Sequence, residues 1–127
     1  MDPIVLFGQS EKGQYHKAYF CNNLVQLEDT FGSPPEDSLG LLFAIQALMY
    51  ERRIIFFRVE EEGFTNIDYI KGFDILKNPN RIKKISAICL PNAGDHKILD
   101  RTDLLCKMHR CILITTHKDL FDYLYSF

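Results

Sequence analysis

The chain has 127 residues, of which 46% are apolar and 25% carry a charge. This balance excludes a mainly disordered chain, and the length predicts a single domain over residues 1–127. The formal net charge of -2 excludes the basic field with which a whole domain attracts nucleic acid, and no apolar run reaches the length that membrane insertion needs.

The first third of the chain predicts two extended segments and a helix. Residues 4–7 (IVLF) are typical of a short strand, and residues 15–21 of a second extended segment. Residues 24–31 place apolar side chains at helical spacing. Asn22 or Asn23 offers a side-chain oxygen for the first free amides of that helix.

The middle of the chain predicts a central helix followed by a buried strand. Between Leu39 and Tyr50 the only residues that are not apolar are Gly40 and Gln46. A helix of this composition is apolar on nearly every side, so we expect it to be almost completely covered. Residues 54–59 (IIFFRV) are rich in β-branched and aromatic side chains, which predicts a strand buried on both faces.

Helix and strand patterns alternate through the rest of the chain. The spacing predicts a helix to about residue 78, a strand over 85–90, a helix over 97–110, a strand over 111–115 and a helix over 118–125. This alternation is typical of parallel strands joined by right-handed crossovers. We therefore expect an α/β fold, a three-layer sandwich around a mostly parallel, Rossmann-like sheet.

Titratable side chains follow two of the predicted strands. Open parallel sheets bind ligands at the carboxyl ends of their strands, where this sequence places Asp95, His96, His117 and Asp119. Two histidines and two carboxylates are a donor set that zinc or iron accepts. The alternative is helix capping, because Asp95 and Thr116 are good N-cap residues and Asp119 suits a first helical turn.

Arg58 and the four cysteines are the other reactive groups that the sequence places in apolar surroundings. An arginine in a buried strand needs a carboxylate or carbonyl groups, and Glu60, Asp68 or a partner chain could supply them. The cysteines show no C-x-x-C spacing, which predicts reduced, packed thiols in a reducing, cytoplasmic compartment. We expect burial to raise the pKa of Cys89 and make it inert.

The C-terminal segment has more aromatic residues than a terminal helix needs. One interpretation is an interaction surface for a protein partner or for self-association, formed by Leu120, Phe121, Tyr123, Tyr125 and Phe127 together with Arg58. The other is that this segment packs over the sheet, with Leu120, Phe121 and Leu124 facing inward.

The order of motifs resembles contractile tail sheath proteins of the phage type. The similarity runs from Ile4 to Thr115 and includes a glycine-flanked turn, a short helix ending in Phe-Gly, an apolar helix and a strand ending in Arg-Val, here GQSEKG (8–13), NLVQLEDTFG (23–32), LFAIQALMY (42–50) and IIFFRV (54–59). Further on come a helix at 69–76, a strand reaching Leu90-Pro91, a helix with Cys106 and a closing strand.

The chain also departs from that family. Glu51-Arg52-Arg53 stands where a double glycine is usual, and Thr115-Thr116 where an aspartate is usual. The sequence corresponds to the sheath core, without the C-terminal domain and the terminal arms. The resemblance implies a non-catalytic structural or protein-interaction module that acts in assembly or docking, without a cofactor. The alternative is an enzyme or a small-ligand or metal-binding domain that uses the strand-end loops.

Overall fold

The computed structural model describes residues 2–125 and is a mixed α/β fold. In chain order its elements are β1 (Ile4–Gly8), β2 (Tyr19–Cys21), α1 (Leu24–Phe31), α2 (Gly40–Met49), β3 (Ile54–Arg58), α3 (Asn66–Lys77), β4 (Ala87–Cys89), α4 (His96–Leu99), α5 (Thr102–His109), β5 (Ile112–Ile114) and α6 (His117–Tyr125).

The five strands form one sheet in the order β2-β3-β1-β4-β5. Strand β1 pairs in parallel with β3 and β4, and β5 pairs in parallel with β4. Only β2 runs antiparallel to its neighbour, β3. The prediction of a mostly parallel sheet is therefore confirmed, and β1 lies at its centre.

Alternate side chains of the strands enter two hydrophobic clusters. Val5 and Phe7 of β1 belong to the cluster that contains apolar residues of α3, α4 and α5. Leu6 of the same strand belongs to the cluster of α1 and α2. This alternation is the period of two that a strand imposes on its side chains.

The caps explain where α1 begins and ends and where α4 begins. The Asn23 side chain accepts a hydrogen bond from the Gln26 amide at the start of α1, and Gly32 ends that helix with a φ of 73°. Asp95 accepts one from the Lys97 amide at the start of α4. Of the two cap candidates for α1, the structure therefore selects Asn23.

The helix expected over residues 97–110 is two helices, so that prediction was wrong in its continuity. α4 ends at Leu99 and α5 begins at Thr102. The buried Thr102 hydroxyl donates to the Leu99 carbonyl at 2.7 Å, and the Tyr123 hydroxyl donates to the Asp100 carboxylate at 2.7 Å. Polar contacts are thus found at the junction between α4 and α5. The spacing of apolar residues in the sequence does not predict them.

Helix α2 is covered on one side only, contrary to the expectation of nearly complete burial. Leu41, Ala44 and Leu48 are buried against the sheet and α1. Leu42 and Met49 are exposed, Met49 by 67%. The reason is that α2 packs mainly on β1 and β3, while Ile112 and Ile114 of the edge strand β5 stay exposed.

In residues 2–125 no helix combines the length and the apolar character that crossing a bilayer requires.

Candidate functional site

The carboxyl ends of the central strands meet around one buried carboxylate, that of Glu62. The sequence predicts only a charged edge at residues 60–62, yet Glu62 is 2% exposed. Its Oε2 accepts hydrogen bonds from the backbone amides of Gln9 at 2.9 Å and Gly40 at 3.0 Å. Its Oε1 accepts from the Leu39 amide at 2.9 Å and from the Asn92 side-chain amide at 2.8 Å.

This carboxylate replaces the missing N-cap of α2. Leu39, at the cap position, makes no side-chain cap bond. A helix N-terminus presents free amides and a partial positive charge, which is a natural binding place for an anion. Here the chain fills that place with its own Glu62, which accepts from the Leu39 and Gly40 amides and so competes with a ligand phosphate or carboxylate for this end of the helix.

Two glycines allow the close approach of α2 to β1. A Cβ atom added to Gly8 would lie 2.6 Å from the Gly40 Cα, and one added to Gly40 would lie 2.5 Å from the Gly8 Cα. These distances are too short for any other residue type without a backbone shift. The two glycines therefore bring the amides of α2 and of the β1 loop onto the same carboxylate.

An acidic cavity of about 630 Å³ opens beside Glu62. Its lining includes Lys118 and seven carboxylates, those of Glu36, Asp37, Glu60, Glu61, Glu62, Asp119 and Asp122. Asp119 is 2% exposed and accepts a hydrogen bond from the Asn92 amide at 2.8 Å. The excess of negative charge disfavours phosphate-bearing ligands at these strand ends.

The four residues of the metal hypothesis lie at the starts of α4 and α6. Asp95 caps α4, and its carboxylate oxygen lies 3.8 Å from His96 Nδ1. Asp119 is in the first turn of α6, where its amide donates to the Thr116 hydroxyl at 3.1 Å. The His117 ring lies 6.0 Å from the Phe121 ring. Within residues 2–125 no three His, Cys, Asp or Glu residues are grouped to hold a metal ion. The metal hypothesis stays a prediction.

Arg58 is partnered by carbonyl groups and by an aromatic ring. Its guanidinium donates to the Gly13 carbonyl at 2.6 Å and the Ser10 carbonyl at 3.1 Å, and it lies 4.4 Å from the centre of the Tyr15 ring. Of the partners considered from the sequence, the carbonyl groups are the ones observed. Arg58 thus holds the loop after β1 against β3.

Asp68, one of the partners that the sequence offers for Arg58, instead contacts His16. It is 6% exposed, and its Oδ1 lies 2.6 Å from His16 Nε2. Its Oδ2 accepts from the Glu60 amide at 2.8 Å. Nothing in the spacing of residues 16 and 68 signals this pair, because the two lie 52 positions apart.

An apolar groove lies on the face of the sheet that α2 covers in part. We call it the α2–β5 groove. Its volume is about 400 Å³. The strands contribute Ile4, Leu6, Cys89 and Ile114; helix α2 and the turn after it contribute Phe43, Gln46, Ala47, Tyr50 and Arg52. Tyr50 is 76% exposed and Ile114 is 39% exposed.

Cys89 in this groove is as inert as the sequence predicts. Burial raises the pKa of its thiol to about 12, with a further contribution from the negative charges of Asp119 and Glu62. At neutral pH the thiolate fraction is therefore very small. The groove offers no nucleophile at this position.

The residues of α6 that belong to the interaction hypothesis differ in how far they are exposed. Tyr123 packs against the cluster of α3, α4 and α5, and burial adds to the hydrogen bond with Asp100 in raising the pKa of its hydroxyl. Leu120, Phe121 and Tyr125 are exposed, so the expectation that Leu120 and Phe121 face inward was wrong, as it was for the exposed Leu124. Phe127 lies outside the described residues.

Comparison with known proteins adds no family to this geometry: no family model, no curated protein and no solved structure matches the chain.

Proposed function

We propose that this chain is a non-catalytic protein-interaction module that binds an amphipathic helix of a partner protein in the α2–β5 groove. The observation that carries the proposal is the groove itself, an apolar depression of about 400 Å³ beside α2.

The width of the gap fits one α-helix. Neighbouring strands of a sheet are about 4.8 Å apart, so two strands offer a surface about 10 Å wide. An α-helix with its side chains has a diameter of about 10 Å. Helix α2 packs mainly on β1 and β3, so the groove lies where β4, with its buried Cys89, and the exposed edge strand β5 continue the same sheet.

The lining fits the apolar side of an amphipathic helix. Ile112 and Ile114 lie two residues apart in β5, so they share one face of the sheet, and both are exposed. Leu113 between them packs into the cluster on the opposite face. Ile114 lines the groove, and Ile112 extends the exposed apolar surface beyond it on the same face of the sheet.

The charge in the groove favours a partner helix with acidic residues. Arg52 is the only charged side chain that lines the groove in residues 2–125. One of its terminal nitrogens donates to Ser86 Oγ at 2.8 Å and to the Asp2 carbonyl at 3.1 Å, whereas its buried Nε has no partner among the described residues. A carboxylate on the bound helix would face this guanidinium.

We further propose a role and a cellular compartment for this module. A subunit with one exposed apolar groove suits assembly and docking, as in the core of the contractile tail sheath proteins that the sequence resembles. We place it in the cytoplasm, because its four cysteines are free. We also propose that the helices and the sheet form a three-layer, Rossmann-like arrangement.

The alternative is a small-ligand or metal-binding domain at the strand ends. Two cavities favour it, the acidic one beside Glu62 and another of about 460 Å³ lined in part by Asp95 and His96. Against it, the Glu62 carboxylate already accepts from the Leu39 and Gly40 amides at the start of α2, a place where an open sheet would otherwise bind an anionic ligand. The interaction module is therefore the function that the geometry supports best.

The test uses two synthetic amphipathic peptides of about five helical turns with identical apolar stripes. One has glutamates and the other lysines on its polar face, and each carries a fluorophore for titration with the protein. We expect the acidic peptide to bind and the basic one to bind at least tenfold more weakly. Gln46→Glu places a carboxylate in the groove at an exposed position, so it should weaken the acidic peptide about tenfold.

The matched control is Val25→Glu, which adds the same charge at an exposed position of α1 outside the groove. Circular dichroism verifies that both variants fold. Equal binding of the two peptides, no binding of either, or the same loss in Val25→Glu would overturn the proposal. Binding of a second copy of the chain in the groove would also overturn the proposal. It would appear as an apparent molecular size that rises with protein concentration and is smaller for Gln46→Glu.

A further inference from the structure

We propose that Cys106 and Cys111 form a reversible dithiol site, which an oxidant of the disulfide class converts to an intramolecular disulfide. These cysteines lie on the opposite side of the sheet from the α2–β5 groove, and the inference is independent of the helix-binding function.

The end of α5 brings the two cysteines together. Arg110 adopts a left-handed conformation with a φ of 53°, which turns the chain back at the end of the helix. The Cys111 amide then donates to the Cys106 carbonyl at 3.0 Å. This is the hydrogen-bond pattern of the Schellman motif, in which the side chains of the two bonded residues meet.

The backbone geometry fits a disulfide. With the Cys111 nitrogen 3.0 Å from the Cys106 oxygen, the two Cα atoms are less than about 7 Å apart. Disulfides span Cα separations of about 4.4–6.8 Å. Each thiol is among the groups that affect the pKa of the other, as expected for neighbouring side chains.

The other two cysteines do not compete for this pairing. Cys21 and Cys89 are buried in the cluster of α1 and α2, whereas Cys106 and Cys111 are half-buried against the cluster on the opposite face. Cys106 also lines an open cavity of about 600 Å³, which gives an oxidant access to its sulfur. Cys106 is therefore the residue that reacts first.

The reaction with glutathione disulfide proceeds in two exchanges. The Cys106 thiolate attacks one sulfur of glutathione disulfide, forming a mixed disulfide and releasing one glutathione thiolate. The Cys111 thiolate then attacks the Cys106 sulfur and releases the second glutathione. In total the two cysteines lose two electrons and two protons, and one glutathione disulfide becomes two glutathione thiols.

The rate should rise with pH. Burial is the main cause that raises the pKa of both thiols, for Cys111 to about 12. Because the thiolate is the nucleophile, and its fraction grows about tenfold per pH unit below the pKa, oxidation is slow at pH 7 and faster at pH 9. Each reactive thiol must lose its proton first, so the direction of this dependence is fixed.

The experiment treats the folded protein with excess glutathione disulfide at pH 9, alkylates the remaining thiols in urea and digests with trypsin. Trypsin cuts after Lys107 and Arg110, so an intact bond joins peptide 102–107 (TDLLCK) to peptide 111–118 (CILITTHK). We expect this linked pair, reversal by dithiothreitol, and alkylated Cys21 and Cys89. In Cys111→Ser we expect Cys106 to carry glutathione instead.

Three results would overturn the inference. They are glutathione on Cys106 of the unchanged protein without a linked pair, no modification of either cysteine, and a linked pair that forms only when oxidation is carried out in urea. The comparison of oxidation with and without urea shows whether the folded structure brings the two cysteines together. The alternative is that they pair in the unfolded chain because they lie close together in sequence.

Discussion

Glu62 shows how much one buried side chain can organise at the scale of a single residue. Four amide groups from three segments donate to its carboxylate. Glu62→Gln keeps the shape but turns one acceptor oxygen into a donor that faces other donors. We expect it to lower the free energy of unfolding by about 1–3 kcal/mol, measured by urea denaturation.

Glu61→Gln is the matched control for that variant, because Glu61 is the exposed neighbour and its side chain is outside this hydrogen-bond network. It should change the free energy of unfolding by less than about 0.5 kcal/mol. Equal effects of the two substitutions would contradict the role assigned to Glu62.

The sequence predicts single-residue roles where the cause is local. Asn23, Asp95 and Thr116 are bonded to amides two or three positions away, so capping preferences reveal them. The partners of Glu62, and the His16 ring that contacts Asp68, lie between 22 and 53 positions away. No spacing rule connects such positions, and Glu62 looked like one more charge in an acidic run.

At the scale of elements, the contact between α2 and β1 depends on Gly40. Gly→Ala in a helix normally stabilises by about 1 kcal/mol. Here the added Cβ meets the Gly8 Cα at 2.5 Å and the Phe7 carbonyl oxygen at 3.0 Å, and neither backbone atom can rotate away. Overpacking costs about 1–3 kcal/mol, so we expect Gly40→Ala to be destabilising by about 1–2 kcal/mol in urea denaturation.

Gln46→Ala is the control for that substitution in the same helix. Gln46 is exposed, so only helix propensity changes and the effect should stay within about 0.5 kcal/mol. An unchanged or raised stability of Gly40→Ala would mean that the approach of α2 to β1 is looser than the structure shows.

Element boundaries and burial differ in how far the sequence predicts them. Helix α3 ends at Lys77, close to the predicted residue 78, because the proline at 79 is a local stop signal. The prediction that α2 is almost completely buried was wrong, because the composition of a helix does not reveal which elements pack against it. An apolar surface is compatible with full burial or with an open groove, and only the arrangement of β4 and β5 distinguishes them.

For the whole molecule, the alternation of strands and helices from β3 onward predicts the parallel sheet, but not its order. That β1 is central and β5 forms an open edge depends on long-range pairing that a single sequence does not encode locally. That the entire chain forms one domain stays a prediction. The open edge at β5 also affects the local stability of the sheet.

Local stability should fall from the centre of the sheet to β5. Strand β1 has a paired strand on each side and three fully buried side chains, whereas β5 pairs only with β4 and exposes Ile112 by 65%. We expect the paired amides of Val5–Phe7 to exchange with deuterium at least a hundredfold more slowly than those of β5, measured by hydrogen exchange.

The same measurement connects this gradient to helix binding. A helix bound in the α2–β5 groove would cover Ile112 and Ile114, so fraying of β5 would have to displace it first. We expect the acidic peptide to slow exchange in β5 and to leave that in β2, at the other edge, unchanged. With Gln46→Glu the slowing should disappear at the same peptide concentration, because the added carboxylate weakens binding. If β5 of the free protein exchanged as slowly as β1, its edge would already be covered, and no open groove would remain for a partner.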